Sequence, residues 1–259
     1  MEDSEACRTA CPDLRYFQPK DMFPRWKQAA HPRLKLERHV AWLNPQCGAR
    51  SLMPRARVSK TSLADAFFEI GALRFGKFVL SSGKTSSYYL DLRVIPSHPN
   101  VYATVVEAVR EVVQSLGAAK FDVLAGVATA GVTISSPLAF LLKKPMVYVR
   151  REEKGHGLDR LVEGAVIPGW KALVIDDVVT TGESIGFAVE ALRREGCQVA
   201  DAAVLVDRLE GAAANLRTRG VRLSAVVEVR ELIDKLYEAG KVTKRDYEAV
   251  VRQVEGERR

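Results

Sequence analysis

One stretch, Lys171 to Ser184, limits what this chain can fold into more than any other. It reads Lys-Ala-Leu-Val-Ile-Asp-Asp-Val-Val-Thr-Thr-Gly-Glu-Ser. The short unbroken apolar run Ala172 to Ile175 predicts a strand buried on both faces, as inside a parallel sheet. Asp176 and Asp177 follow, where the strand is expected to leave the sheet. Thr180, Thr181, Gly182, Glu183 and Ser184 then form a small polar turn ahead of a helical run from Ile185 to Arg194. Open parallel sheets hold ligands beyond the carboxyl ends of their strands, so this turn lies where a ligand is bound. Backbone N–H groups at the start of a helix can cradle a phosphate. The two carboxylates would repel that phosphate but suit sugar hydroxyls or a hydrated divalent cation. A phosphorylated sugar satisfies both halves, whereas the Gly-x4-Gly-Lys-Ser/Thr pattern of nucleoside triphosphatases does not fit.

The same residues closely resemble the phosphoribosyl pyrophosphate (PRPP) motif of the type I phosphoribosyltransferases: an apolar strand, Asp-Asp, two further residues, then Thr-Thr-Gly. The resemblance implies that Asp176, Asp177, Val178, Val179, Thr180, Thr181, Gly182, Glu183 and Ser184 bind PRPP, with Asp176 and Asp177 counted among the catalytic residues. It also implies Mg²⁺, carried mainly by PRPP and met through water by Asp176 or Asp177.

Three further segments, in the order that family would place them, narrow the resemblance to the orotate phosphoribosyltransferases. Phe75 to Arg93 holds two β-rich runs around a Ser-Gly-Lys turn, which reads as a hairpin. It is similar to the family's hood over the base, and so implies Lys84, Tyr88 and Tyr89 as orotate contacts. Ser82 and Gly83 fall in the same turn. Ser81 stands where many members carry Lys, so Lys84 is the candidate substitute. Arg150-Arg-Glu-Glu-Lys-Gly-His-Gly-Leu-Asp-Arg160, read from charge alone as a solvated loop, resembles the family's catalytic loop. That likeness assigns Arg150, Arg151, Lys154 and His156 to the pyrophosphate, with Lys154 and His156 catalytic. It further implies a homodimer in which the 150–160 loop serves the neighbouring subunit. Asp207-Arg208, at the end of a predicted strand, resembles the pair whose Arg takes the orotate carboxylate, and a guanidinium suits that planar bidentate partner. Thr180 is also implied at the orotate. The glycine-bounded turn Gly126 to Gly131 looks like the pyrophosphate-binding loop, with Ala130 offering only backbone.

The charge balance argues against a nucleic-acid binder. The net charge of +7 divides unevenly, because residues 1–60 carry 12 Lys/Arg against 6 Asp/Glu, leaving 27 against 26 for residues 61–259. Six of the 11 prolines and three of the 4 cysteines also lie in that leader. Its scattered prolines and lack of period predict a poorly ordered segment, or a start assigned too early with Met53 the alternative. Cys7, Cys11, Cys47, His31 and His39 match no standard zinc-finger spacing. With Cys197 alone in the body, a reducing cytoplasm is expected. No stretch approaches the roughly eighteen apolar residues of a membrane helix.

Along the body, helices are expected from a Thr61 or Ser62 cap to Gly71, from Pro99 to Gly117, over Val132 to Leu142, near Arg230 to Ala239, and from a Thr243 cap to Val254. Strands are expected at Val123 to Val127, Met146 to Val149, Val199 to Val206 and Leu223 to Val229. The expected architecture is the α/β type I phosphoribosyltransferase fold, a parallel sheet flanked by helices with a small hood. The hood would lie mainly in 61–95, the core in 96–240 and a C-terminal helix at 243–254. The resemblance implies conversion of orotate and PRPP to orotidine 5′-monophosphate and pyrophosphate, in pyrimidine synthesis. A purine phosphoribosyltransferase and a non-catalytic PRPP-sensing regulator are the alternatives.

Overall fold

The computed structural model describes residues 59–79, 83, 85–150 and 161–257. The expectations for residues 1–58, Ser82, Lys84, Arg151, Lys154 and His156 lie outside the described residues.

Two sheets form, a two-stranded hood and a six-stranded core. The hood pairs β1 (Leu73–Val79) antiparallel with β2 (Thr85–Leu90), with a register irregularity between Phe75 and Phe78. The core strands are β3 (Val123–Val127), β4 (Met146–Val149), β5 (Val162–Glu163), β6 (Lys171–Val179), β7 (Gln198–Asp207) and β8 (Arg222–Glu228). Their order is β5-β4-β3-β6-β7-β8, parallel throughout except for the edge strand β5. Helix α1 spans Lys60–Glu69, α2 Pro99–Ser115, α3 Ala130–Leu142 and α4 Glu183–Arg194. Helix α5 spans Ala212–Thr218, α6 Val229–Glu238 and α7 Lys244–Glu257.

Strand alternation explains how both faces of the core sheet are covered. Leu124, Leu173, Ile175 and Leu205 join one apolar cluster with residues of α1, α2, α3, α6 and α7. Val123, Ala125, Val174 and Val204 point the other way, into a second cluster with Ile185, Val189 and Leu192 of α4 and Leu216 of α5. Each such aliphatic side chain contributes about 1.5–3 kcal/mol when fully buried, so a continuous apolar run is favourable only where both faces are covered.

The predicted strands and helices are all present, with shifts at their ends. Helix α1 starts one residue ahead of the expected cap, because the Ser59 hydroxyl accepts from the Ser62 N–H at 3.1 Å. Helix α3 starts two residues early and absorbs Ala130 and Gly131. The cap at Thr243 forms as expected, its hydroxyl accepting from the Asp246 N–H at 3.2 Å. The largest correction concerns β6. It runs on to Val179, so Asp176 and Asp177 lie within the strand and not beyond it. Pairing with β3 stops at Ile175, but the ten-residue β7 stays paired with β6 as far as Val179 opposite Asp207. The carboxylates therefore stand where β6 has lost one neighbour and kept the other.

Candidate active site

The PRPP-motif turn closes into a cup. Thr180 to Ser184, with Asp176 and Val179, line a hollow of about 110 Å³ at the start of α4. Gly182 caps that helix at φ +86°, and a Cβ there would sit 3.2 Å from Leu216 of α5. Both the backbone sign and the space thus favour glycine. The turn is also tied from outside, since Asn215 Nδ2 of α5 donates to the Thr181 carbonyl at 2.8 Å. Larger hollows, of about 400 Å³ between the hood and α7 and about 610 Å³ between α5 and strands β7 and β8, contain no residue of the PRPP-motif turn.

The two carboxylates meet α3 at very close range. Asp176 is 7% exposed, and its Oδ1 accepts from the Asp177 N–H at 2.9 Å. Burial pushes the Asp177 carboxyl above the ordinary carboxylate range, partly offset by its hydrogen bond with Asp176. Gly131, in the first turn of α3, explains the glycine-bounded loop. A Cβ there would lie 2.6 Å from the Ile175 carbonyl oxygen and 2.9 Å from Asp176 Oδ1. Gly126 does the same one step back, where a Cβ would sit 2.3 Å from the buried Ser135 hydroxyl. The loop can therefore reach the carboxylates only because it lacks side chains at both ends.

The base of the 150–160 loop is the β4–β5 hairpin. Tyr148 pairs with Glu163 and Val149 with Val162, and the Arg150 N–H donates to the Leu161 carbonyl at 2.9 Å. The Arg150 side chain pairs with Glu163 at 3.5 Å. β4 lies beside β3 and so leaves the sheet at the same end as the motif.

Arg208 joins this end of the sheet to the hood. Its N–H donates to the Val179 carbonyl at 3.0 Å, which couples the Asp207-Arg208 turn to the first residues of the cup. The Arg208 side chain is 13% exposed; its Nε donates to the Tyr88 hydroxyl at 3.0 Å and pairs with Glu210 at 2.8 Å. The guanidinium also lies 4.9 Å from the centre of the Tyr88 ring, within cation–π range. Leu209, at φ +64°, turns the chain sharply after Arg208, and its N–H is held by Asp207 Oδ1 at 2.8 Å.

Tyr88 and Tyr89 part company here, because successive side chains of an extended strand point to opposite sides. Tyr88 is 1% exposed and faces Arg208. Tyr89 instead meets the Phe78 ring at 5.5 Å, Arg74 at 5.2 Å and Arg93, whose Nη2 donates to its hydroxyl at 3.4 Å. Arg93, which no motif marks, lies close enough to Asp177 for its charge to oppose the rise caused by burial, and it is paired with Asp91 at 2.7 Å. An arginine four residues beyond the aromatic pair was the available signal. Asn215 gave none, being one polar residue in an ordinary helix.

A strand bearing paired carboxylates, feeding a glycine turn that caps the next helix beneath a separate hood, defines a type I phosphoribosyltransferase. Residues 94–241 match the phosphoribosyl transferase domain family. More narrowly, the chain belongs to the orotate phosphoribosyltransferase family. An orotate phosphoribosyltransferase of Cenarchaeum symbiosum is 43% identical over 190 residues, which is 73% of this chain and 93% of that protein. The crystal structure of the Aeropyrum pernix orotate phosphoribosyltransferase superposes with a TM-score of 0.63 at 42% identity, covering 68% of this chain and 98% of that one. Leishmania donovani UMP synthase superposes with a TM-score of 0.69 at 32% identity, covering 76% of this chain and 42% of that longer protein.

Proposed function

We propose that this chain transfers the phosphoribosyl group of PRPP to orotate, giving orotidine 5′-monophosphate and pyrophosphate, with the roles divided between the cup and Arg208. The observation that carries the reading is the Arg208 N–H bond to Val179, which holds a guanidinium suited to a carboxylate next to a turn suited to a phosphate. In this reading the backbone of Thr180 to Ser184 holds the 5′-phosphate at the start of α4, where N–H groups and the helix dipole favour an anion. Asp176 and Asp177 accept from the ribose hydroxyls. As the C1′–O bond to pyrophosphate loosens toward an oxocarbenium-like state, the orotate nitrogen attacks from the opposite face. Arg208 holds the orotate carboxylate, with Tyr88 and Thr180 near the ring, and Lys84 and Tyr89 at the hood. Arg150, Arg151, Lys154 and His156 stabilise the departing pyrophosphate, a use of cations placed where charge develops.

Asp176 and Asp177 fit a Mg²⁺ ion shared with the substrate. Among the described residues no group of three or more His, Cys, Asp or Glu could hold a metal alone, while burial makes the Asp177 charge costly, a cost that a nearby cation would offset. Asp176 and Asp177 would hold the ion together with PRPP, where it would supply charge neutralisation of the pyrophosphate.

The same proposal takes residues 61–259 as the catalytic unit and the cytoplasm as the compartment. The free, buried Cys197 supports that compartment; among the described residues no helix is long and apolar enough to cross a membrane. A homodimer sharing the 150–160 loop is supported by apolar side chains left open at the end of α3, where Phe140 is 83% and Leu141 39% exposed. Orotate consumption with PRPP and Mg²⁺ tests the reading, with Lys154→Ala alongside and adenine, guanine, hypoxanthine and uracil in parallel. Orotate loss abolished by the substitution is the expected result. Turnover of a purine instead, or PRPP binding without turnover of any base, would overturn it.

A further inference from the structure

The hood is a two-stranded ribbon, and such a ribbon is at best marginally stable alone in water. What holds β2 in place therefore sets where Tyr88 sits. A single side chain of α7 does much of this. Gln253 Oε1 accepts from the Ser87 N–H at 2.8 Å and from the Ser87 hydroxyl at 2.7 Å, while its Nε2 donates to the Ser86 hydroxyl at 3.1 Å. The amide can sit only this way round, because the Ser87 N–H requires an acceptor.

Ser86 passes the constraint on. It is fully buried, and its one hydroxyl proton goes to the Tyr88 carbonyl at 2.7 Å. Its lone pairs face Gln253 Nε2 and the Tyr88 N–H, the latter at 3.4 Å. Tyr88 in turn offers its hydroxyl to Arg208 Nε at 3.0 Å. Both contacts of the Arg208 side chain with polar groups of described residues, Tyr88 and Glu210, run through Nε. The terminal edge of the guanidinium is thus aimed by its inner nitrogen, the geometry a bidentate carboxylate needs.

Helix α7 does not depend on Gln253 to stay docked. Val250 and Val254 are buried in the main core, Tyr247 stacks on Tyr237 at 4.3 Å, and the Tyr247 hydroxyl donates to Asp234 at 2.9 Å. The amide is spent on the hood.

We infer that Gln253 is a positioning residue for orotate, acting through Ser86, Ser87 and Tyr88 on the aim of Arg208. This rests on the reading that Arg208 holds the orotate carboxylate. It gives the C-terminal helix a part in base binding and none in PRPP binding.

Steady-state kinetics on the full chain with Mg²⁺ test it, each variant checked by thermal unfolding. Arg208→Ala comes first, and a raised KM for orotate is expected. Gln253→Ala should raise KM for orotate about tenfold while KM for PRPP and kcat stay within about twofold. Gln253→Glu keeps the acceptor for Ser87 and should recover most of that loss, whereas Ser87→Ala should raise KM for orotate about threefold. In the Arg208→Ala background, Gln253→Ala should add little, since both act through one group. If Arg208→Ala leaves KM for orotate unchanged, the orotate-binding reading falls and the inference with it. If Arg208→Ala raises it but Gln253→Ala and Ser87→Ala do not, or if both KM values rise together, the inference alone is overturned. Should Gln253→Ala fail to fold, the Ser87→Ala and Gln253→Glu pair decides by the same split.

Discussion

The cup proposed for PRPP and the Arg208 end proposed for orotate lie side by side yet are built on opposite plans. The cup is lined by one contiguous stretch, Asp176 to Ser184, and its shape depends on backbone: on Gly182 at φ +86°, and on the close approach to the carboxylates of Gly131 from α3, where no Cβ fits. The orotate end is made of side chains brought together from afar: Tyr88 meets Arg208 across 120 positions, and Ser87 meets Gln253 across 166. A local, backbone-built site resists most side-chain changes and fails abruptly when its backbone is displaced. A side-chain relay should weaken by degrees, one hydrogen bond at a time.

The sharpest test of that contrast is Gly131→Ala. The new Cβ would meet backbone, the Ile175 carbonyl, at 2.6 Å, and no flexible side chain can move aside. The expected cost is about 2–4 kcal/mol of stability, with turnover down at least about a hundredfold. Thermal unfolding and the orotate assay measure both. A folded, active Gly131→Ala enzyme would break the contrast, because the backbone approach would not be essential.

Asp177→Asn comes next and separates binding chemistry from stability. Losing the carboxylate proposed to accept from the ribose hydroxyls should lower turnover by about a hundredfold. The stability change should have the opposite sign. Burial raises the Asp177 carboxyl in the folded state, so the native protein holds that proton more tightly than the unfolded chain. Wild-type stability therefore falls as pH rises from the ordinary carboxylate range through the raised value, then stays at the lower level. Asn cannot ionise, so the variant should show less of this decline and melt higher than wild type at neutral pH without ligand. A lower melting temperature at neutral pH would show that the carboxylate stabilises the empty site.

Tyr88→Phe probes the other plan. It keeps the buried ring over the guanidinium and deletes only the hydroxyl that accepts from Arg208 Nε. KM for orotate should rise about three- to tenfold, with KM for PRPP unmoved. A change in kcat of a hundredfold or more would mean that the relay, like the cup, is all-or-none.

The same contrast explains what the sequence made legible. The motif was readable because its chemistry is local: an apolar run, two carboxylates and a glycine turn lie in chain order. The longer strands and helices were legible from their patterns, whereas the two-residue β5 and the seven-residue α5 were not. Asp176 and Asp177 were placed one step too far out, since the length of β6 is decided by its partner β7, which the residues of β6 do not reveal. Tyr88 and Tyr89 read as a pair, although strand alternation sends them apart once the hairpin's orientation is fixed. Arg208 was legible from its place at a strand end beside Asp207. Gln253 was not, because a lone amide on an amphipathic helix has no pattern until the hood lies against it.

The smallest expected effect tests whether the cup is as self-sufficient as its contiguity implies. Asn215 is exposed, and its amide donates to the Thr181 carbonyl from outside the motif. That bond fixes one peptide plane of the turn, and with it the direction of the Gly182 N–H. Gly182 at φ +86° and the first turn of α4 constrain the same peptide, so Asn215 supplies only a share of the restraint. A neutral hydrogen bond near solvent is worth about 0.5–1 kcal/mol, so Asn215→Ala should raise KM for PRPP about two- to threefold and leave KM for orotate unchanged. If neither value moves, the cup is set by its own glycine and helix, and the contrast is sharper than drawn. If orotate is affected as much as PRPP, the Val179 carbonyl that receives the Arg208 N–H is transmitting the disturbance, and the two halves work as one unit.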